Sequence, residues 1–340
     1  MSKQVATSSI AMPHYLVALA ARERWNKVEI TFWLALLAVY FVLPGYLMFA
    51  SQILITGLFA LSLDLILGYA GIVTLGHAAF FGLGAYTAGL LTKWGLGEPV
   101  AGLLIAGAVA GIFGYMTSFL VLRGKDLTRL MITLGISQLL YEVANRATDL
   151  TGGVDGLQGI AVGKILGLFS FDMGGKTAYL YVLGVSSLLF VLVRALITSP
   201  YGLSLRTIRE NPQRALAIGI PIRSRLTNIY TFSAMLAGIA GALLMQTTQF
   251  VAIDIFNFQR SADLLIILII GGAATLYGGF VGAAVFMIAQ DRLASINPEY
   301  WLFWLGILLI VSTLYLRGGL LGALRRLMQL AQRARKGGRS

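Results

Sequence analysis

Long, unbroken stretches of apolar residues dominate the chain. Two of the clearest cover residues 100–122 and 226–246, and each reaches the about 20 residues that a helix needs to cross a bilayer. A transmembrane barrel strand would alternate apolar and polar positions, whereas these stretches are apolar throughout. Because backbone polar groups in lipid must be paired within the protein, we predict an all-α protein that crosses the membrane several times.

Ten apolar segments, separated by glycine, proline or charged residues, are candidate membrane spans. Their approximate ranges are 30–48, 53–69, 72–92, 99–121, 128–145, 177–197, 226–247, 263–275, 277–293 and 300–316. The eighth and ninth could instead form one long helix, but glycine pairs at 271–272 and 278–279 favour two. We therefore predict a polytopic bundle of about ten transmembrane helices with broken, glycine-rich segments.

The distribution of basic residues predicts the orientation of the bundle. Hydrophobic residues make up 58% of the chain and charged residues 12%, with a mean hydropathy of +0.82, whereas about a quarter of the residues of a soluble protein are charged. With ten spans and the N-terminus inside, most of the 26 Lys and Arg residues lie on the cytoplasmic side. Both termini are therefore predicted to be cytoplasmic. The net charge of +12 is then explained by the orientation of the chain in the membrane and by contact of its basic residues with anionic lipid headgroups. No nucleic-acid partner is expected.

Three regions follow from this topology. Residues 1–29 form a cytoplasmic N-terminal segment without the pattern of a cleaved signal peptide. Residues 30–316 form the transmembrane domain, with a cytoplasmic loop at 198–225. Residues 317–340 form a basic cytoplasmic tail, which fits either a short amphipathic helix on the membrane surface or a solvated end.

Residues for enzymatic chemistry are scarce in this sequence. The chain has no cysteine, and its two histidines, His14 and His77, are too far apart for a familiar zinc site. The tripeptide 175–177 ends like a phosphate-binding loop, but Ser170 stands where the earlier glycine is needed. We therefore predict no enzymatic activity and no metal or cofactor bound by this chain.

A glycine-rich segment at residues 68–86 interrupts the second and third spans. Glycine at this density permits either a broken helix that opens backbone groups to a cavity, or close packing through small residues. The sequence supports both equally. Its His77 is the one histidine within a span, and packing or hydrogen bonding is favoured over a proton relay. A second, weaker glycine-rich segment at 271–282 hints at a pseudo-symmetric core.

Other polar features each allow two interpretations. Asp64 and Glu142 lie within spans, where each could simply pair with a neighbouring helix. The outer loop at 151–159 is rich in turn residues and could form the mouth of a solute path or an ordinary connection. In the cytoplasmic loop at 198–225 the sequence predicts two short amphipathic helices that meet at Asn211, and the second ends at Gly219. That loop could dock into a soluble partner or lie on the bilayer.

Four stretches together resemble the permease subunits of bacterial ABC importers for branched-chain amino acids, of the LivM type. They are residues 68–86, 151–156, 202–211 with Ala215 and Gly219-Ile220, and 232–242. The resemblance covers roughly residues 35–320. It implies import of branched-chain or other small amino acids across the bacterial inner membrane, together with a second homologous permease, two ATP-binding subunits and an external solute-binding protein. ATP and Mg would be bound by the partner subunits.

The resemblance also guides the choice of functional residues. We expect a substrate path that includes Gly71, Thr74, Gly76, His77, Thr133, Ser137, Gly152, Gly153 and Asp155. We expect contacts that couple the chain to the ATPase at Arg206, Arg209, Glu210, Asn211, Ala215 and Gly219. In the family's coupling helix an alanine and a glycine stand four residues apart, as Ala215 and Gly219 do here.

Two alternatives to an amino-acid importer stay open. Permeases of similar sequence carry urea, short amides or aromatic acids, so the substrate is less certain than the class of transporter. An ion-coupled secondary transporter would need relay residues in the membrane. Asp64, His77 and Glu142 are the candidates, but they lie on three separate spans. That alternative leaves the cytoplasmic loop unexplained.

Overall fold

The described part of the chain is helical. The computed structural model describes residues 27–172, 174–315 and 318–323; within them there is no strand, only two isolated bridges, Leu157–Val251 and Ile165–Phe169. The α-helices of more than four residues are α1 (Lys27–Val42), α2 (Leu47–Asp64), α3 (Ala78–Lys93), α4 (Pro99–Val121), α5 (Asp126–Arg146), α6 (Lys176–Thr198), α7 (Pro200–Glu210), α8 (Pro212–Ala217), α9 (Ile222–Thr248), α10 (Phe258–Gly271), α11 (Gly278–Ile296) and α12 (Trp301–Tyr315).

Each of the ten predicted spans overlaps one of the ten long helices, while α7 and α8 form the loop between α6 and α9. Five continuous helical stretches are long and apolar enough to cross a membrane: Pro44–Tyr69, Pro99–Val121, Lys176–Thr198, Ile222–Thr248 and Gly278–Ile296. The all-α, polytopic membrane fold is thereby confirmed. Nearly all of the predicted N-terminal segment and most of the basic tail lie outside the described residues.

Helix α9 is the centre of the bundle and packs against α2, α3 and α4. Glycines make these contacts close: a Cβ atom added at Gly84 would lie 2.1 Å from the carbonyl oxygen of Gly238. Another added at Gly241 would lie 1.9 Å from the carbonyl oxygen of Phe81. Small residues therefore bring helix backbones together, as is common within membranes.

Helix α1 is held against α6 by two polar contacts. The hydroxyl of Tyr179 donates to the carbonyl oxygen of Leu36 at 2.6 Å. Arg194 and Glu29 form an ion pair at 3.0 Å, and both side chains are largely buried. The ion pair lies near the start of α1 and near the end of α6, where the chain continues into α7.

Candidate functional site

The first glycine-rich segment is a true break between two helices. Helix α2 continues into a wider helical turn at Leu65–Tyr69, after which residues 70–77 are irregular until α3 begins at Ala78. Gly71 has a φ of +73°, a left-handed conformation that favours glycine. The break predicted from the glycines is confirmed, and close packing accompanies it.

Helix α5 closes the break from one side. The Oγ1 of Thr133 accepts a hydrogen bond from the backbone N–H of Leu75 at 3.2 Å. The next residue, Gly76, lies so close to α5 that an added Cβ would be 1.9 Å from the carbonyl oxygen of Thr133. The Oγ1 of Thr74 accepts from the N–H of Gly76 at 3.3 Å. These contacts pair backbone groups that the broken helix would otherwise leave unsatisfied in the membrane.

A second contact reaches the break from the start of α10. The backbone N–H of Ala78 donates to the Oγ of Ser261 at 3.0 Å. One turn earlier, the carbonyl oxygen of Phe256 accepts from the Oγ of Ser137 at 2.9 Å. The segment that leads into α10 therefore descends into the bundle to the depth of the first break.

His77 lies between α2 and α3 and is buried. The hydroxyl of Ser62 donates its one hydrogen to the carbonyl oxygen of Phe59 at 2.6 Å. The Ser62 oxygen therefore accepts the 2.8 Å hydrogen bond that it forms with His77, and the Nε2–H of His77 is the donor. The imidazole also stacks on Phe59, with ring centroids 5.6 Å apart. This environment fits the packing and hydrogen-bonding role that the sequence favours for His77.

The second glycine-rich segment breaks the chain between α10 and α11. Residues 272–277 lie outside both helices, and Ala274 has a left-handed φ of +61°, which is strained for a residue with a Cβ. Asp64 Oδ1 accepts the backbone N–H of Ala274 at 2.6 Å. A Cβ at Gly68 would lie 2.0 Å from that same carboxylate oxygen. The buried Asp64 thus joins the two breaks, whereas Glu142 pairs with Arg146 on its own helix at 3.9 Å.

The α7–α8 loop lies against the first break. Arg209 Nη1 donates to the carbonyl oxygen of Gly68, and the side chain of Arg209 packs on Gly71, whose added Cβ would lie 3.0 Å from the Arg209 Cγ. The guanidinium of Arg206 lies over the ring of Tyr69 at 5.3 Å from its centroid. The loop is therefore attached directly to the broken part of the membrane bundle.

A charged cavity of about 680 Å³ lies where the loop meets the two breaks. It is lined by Glu29, Gly68, Tyr69, Arg206, Arg209, Glu210, Ala274, Thr275, Leu276 and Tyr277. Three of the predicted coupling residues therefore face the same space as both breaks.

The remaining predicted coupling residues have different surroundings. Asn211 caps α8, because its Oδ1 accepts the N–H of Arg214 at 3.0 Å. Ala215 is fully buried within this chain. Helix α8 ends at Ala217, and Gly219 follows at a φ of +82° with no atom within 4 Å of an added Cβ. Gly219 is therefore free to meet another protein, whereas Ala215 packs inside this one.

The predicted path residues divide into two groups. Thr74, Gly76, His77, Thr133 and Ser137 come together at the first break, all buried and with partners inside the protein. Gly71 faces Arg209 instead. Gly152, Gly153 and Asp155 lie in the loop at residues 151–159, in which Leu157 donates its N–H to the carbonyl oxygen of Val251 at 2.8 Å. In this conformation the first group supports the break, and its place along a solute path stays a prediction.

Sequence reasoning missed several residues that hold the site. Ser62, Ser261 and Phe256 have no motif, and their roles depend on contacts between segments far apart in the chain. In the loop, Leu216 and Ile218 are 62% and 64% exposed. Both belong to the amphipathic pattern from which the sequence predicts a loop able to dock into a partner. No group of three or more metal-ligating side chains occurs within the described ranges.

The chain matches one family model over residues 45–313, described as the permease component of the branched-chain amino acid transport system. The match covers most of the chain, including both breaks and the loop. The protein belongs to this family. Its members are transport proteins rather than enzymes, which agrees with the polytopic helical fold.

Several characterised relatives are similar to this permease along most of its length. The high-affinity branched-chain amino acid transport system permease protein LivM of Escherichia coli is 28% identical over 88% of this chain and 75% of its own length. The LivM of Salmonella typhimurium is 29% identical over 98% and 84%. The fructose import permease protein FrcC of Rhizobium meliloti is 26% identical over 77% and 74%. No solved structure matches the chain.

Proposed function

We propose that this permease is the translocation subunit of an ATP-driven importer for branched-chain or other small amino acids. The observation that carries the proposal is a surface loop of two short helices attached by Arg209 to a broken membrane helix. A subunit without a nucleotide site of its own needs such an attachment, because the energy for transport has to arrive from a partner.

We infer that motion passes from the loop to the membrane through the contacts of Arg209. Its guanidinium binds the carbonyl oxygen of Gly68 at the first break, and the carboxyl group of Asp64 lies directly beside Gly68. Asp64 in turn holds Ala274 of the second break. A displacement of α7 would therefore move both breaks, which are packed too closely to deform independently.

The exposed end of α8 is the expected site for an ATP-binding subunit. Leu216 and Ile218 present apolar side chains beside Gly219, and both are more than half exposed in the described part of the chain. We propose two ATP-binding subunits that hold ATP and Mg, a second homologous permease and an external solute-binding protein as partners. The complex would lie in the bacterial inner membrane with the loop in the cytoplasm.

The substrate class rests on the relatives and is open to direct test. The LivM proteins are named for branched-chain amino acid transport, whereas FrcC is named for fructose import. We propose a branched-chain or other small amino acid. Urea, short amides, aromatic acids and fructose belong in the same competition assay, because similar permeases are not restricted to one solute.

Co-purification with the ATP-binding subunits, followed by ATP hydrolysis in the presence of loaded binding protein, tests the proposal. Ile218→Asp places a charge on the exposed apolar surface, where burying it unpaired at an interface costs several kcal/mol. We expect loss of the ATP-binding subunits or of substrate-stimulated hydrolysis. Leu168→Asp is the matched control, since Leu168 is an exposed apolar residue in the connection between α5 and α6.

Gly219 offers a second test that separates backbone strain from partner contact. Asn tolerates the left-handed conformation better than most residues, so Gly219→Asn introduces a side chain with little strain. Gly219→Glu adds a charge and should uncouple hydrolysis from uptake. If ATP hydrolysis stays normally coupled to uptake in both Gly219→Glu and Ile218→Asp, the ATP-binding subunit does not dock at this loop. Ala215→Glu is unsuitable, because Ala215 is buried in this chain and the variant would disturb folding.

A further inference from the structure

A small cavity lies inside the bundle beside the first break. Helices α2, α3, α9, α10 and α11 enclose it, and its volume is about 100 Å³. A water molecule occupies about 30 Å³ of the liquid, so the cavity suits a small solute, and it is smaller than the roughly 300 Å³ of typical drug-sized sites. None of the nine path residues expected from the sequence lines it.

The wall of this cavity is apolar and rigid. Ile55 and Phe59 of α2, Phe81 of α3 and Phe286 of α11 line it, and all four are buried. The rings of Phe59 and Phe81 stack with centroids 4.2 Å apart, and Phe59 also stacks on His77. The wall is therefore continuous with the first break and suits a short aliphatic group.

Charged side chains occupy one end of the cavity. Arg260 and Asp263 are three residues apart on α10, where such spacing places side chains on one helix face, and Gln290 of α11 lies beside them. Gln259 Nε2 donates to Asp263 Oδ1 at 2.8 Å and so fixes the carboxylate. Among the described residues Arg260 has no ion pair.

These charges lie at the accessible end of the cavity. Arg260 is exposed and Asp263 is half-buried, whereas Ser261, next to Arg260, is buried and accepts the N–H of Ala78 at the start of α3. A solute could therefore reach the two charges from outside the bundle while its apolar part lies against the buried wall. The cavity combines one cation, one anion and an apolar wall.

We propose that this cavity binds an aliphatic amino acid as a zwitterion. Arg260 receives the α-carboxylate, Asp263 receives the α-ammonium with Gln290 beside it, and the branched side chain lies against Phe59 and Phe286. A simple acid would leave Asp263 with only the Gln259 amide as its partner, and an amine would give Arg260 no carboxylate to bind. The inference rests on the proposed function for the solute class, but its test needs neither ATP nor partner subunits.

The test is direct binding of radiolabelled L-leucine to the purified full-length chain in lipid nanodiscs. We expect saturable binding that Arg260→Gln and Asp263→Asn each weaken by about tenfold or more, because each removes a charge-assisted hydrogen bond. Arg292→Gln, on the exposed part of α11 outside the cavity, is the matched control and should bind like the unmodified chain. No saturable leucine binding by the unmodified chain, or equal losses in the control, overturns the proposal.

Two leucine analogues assign each charge to its partner. 4-Methylpentanoate lacks the ammonium, so its binding should weaken in Arg260→Gln and stay unchanged in Asp263→Asn. 3-Methylbutylamine lacks the carboxylate and should show the reverse. Such pairing is the logic of a double-mutant cycle. If both analogues respond alike to both variants, the charges do not bind the solute. Failure here with intact leucine-stimulated ATP hydrolysis would leave the proposed function standing.

Enlarging the cavity provides a variant that does not depend on charge. Met287→Ala removes a half-buried wall residue and should raise binding of L-phenylalanine relative to L-leucine by about threefold or more, given the 10–200-fold that a methylene can be worth. Met131→Ala, at an exposed site on α5, is the control. If Met287→Ala leaves the ratio of L-phenylalanine to L-leucine binding unchanged, the side chain of the bound amino acid does not lie against this wall, and the proposed pose is wrong.

Discussion

Gly76→Ala is a sharp test of the first break, because it adds a single methyl group at its closest contact. The new Cβ would lie 1.9 Å from the carbonyl oxygen of Thr133 and 2.6 Å from its carbonyl carbon, whereas real Cβ atoms essentially never approach within 3.0 Å. These atoms are backbone and cannot rotate away. Helix α5 and the break must therefore separate by about 1 Å, a shift typical of an overpacked core.

Two terms contribute to the cost of that separation. Overpacking of this kind costs about 1–3 kcal/mol, and the hydrogen bond from Leu75 to Thr133 adds about 0.5–1.5 kcal/mol if it is lost. We expect Gly76→Ala to destabilise the protein by about 1.5–4.5 kcal/mol and to impair uptake. Thermal unfolding in detergent, with expression level as a check on insertion, measures the first quantity.

Gly135→Ala is the matched control on the same helix. No atom lies within 4 Å of an added Cβ at Gly135, and replacing a mid-helix glycine by alanine stabilises a helix by about 0.5–1 kcal/mol. We therefore expect this variant to be at least as stable as the unmodified protein. If Gly76→Ala and Gly135→Ala unfold at the same temperature, the described approach of the break to α5 is wrong.

Three further predictions follow from the loop, the breaks and the charge pattern. Because the chain has no cysteine, single cysteines can report topology: Asn211→Cys should react with an impermeant maleimide only from the cytoplasm and Asp155→Cys only from outside, and the reverse result would refute the ten-span orientation. Arg209→Gln and Asp64→Asn should each lower uptake per ATP hydrolysed. Because both residues act through one set of contacts, uptake in the double variant should be no lower than in the more severe single variant. Fully additive losses would show that the two residues have separate roles. Asp172→Ala should destabilise α6 by about 1 kcal/mol, seen as a lower unfolding temperature. The backbone N–H groups of Thr177 and Lys176 donate to that carboxylate and lower its pKa, so its contribution is present at neutral pH and lost as pH falls through the lowered folded-state pKa; an unchanged melting temperature at pH 7 would refute the cap.

The order of helices was predictable from apolar segments, but the extent of the breaks was not. The sequence predicted spans at 53–69 and 72–92, whereas residues 70–77 are irregular. It predicted 263–275 where α10 covers Phe258–Gly271. Ile72 and Val73 are apolar, and a buried irregular segment has the same composition as a buried helix. What sustains the irregular backbone is pairing with Thr133 and Ser261, which no local pattern encodes.

The candidate site was predicted in its parts and not in its connections. Glycine density marked the first break, and the alternation of apolar and charged residues marked the loop. The attachment of Arg209 to Gly68 joins residues 141 positions apart, and that of Asp64 to Ala274 joins residues 210 apart. The cavity at Arg260 and Asp263 was likewise hidden, because five helices contribute to it. Such contacts are set by tertiary packing, which a single sequence does not reveal.

ATP-dependent uptake into proteoliposomes tests the central claim most directly. The chain is reconstituted with its homologous permease and ATP-binding subunits, and radiolabelled L-leucine is supplied with the binding protein on the opposite side from ATP. We predict accumulation of leucine that requires ATP on the side of the α7–α8 loop and is lost in Ile218→Asp. Leucine uptake by this chain alone, driven by an ion gradient and indifferent to ATP, would contradict the account.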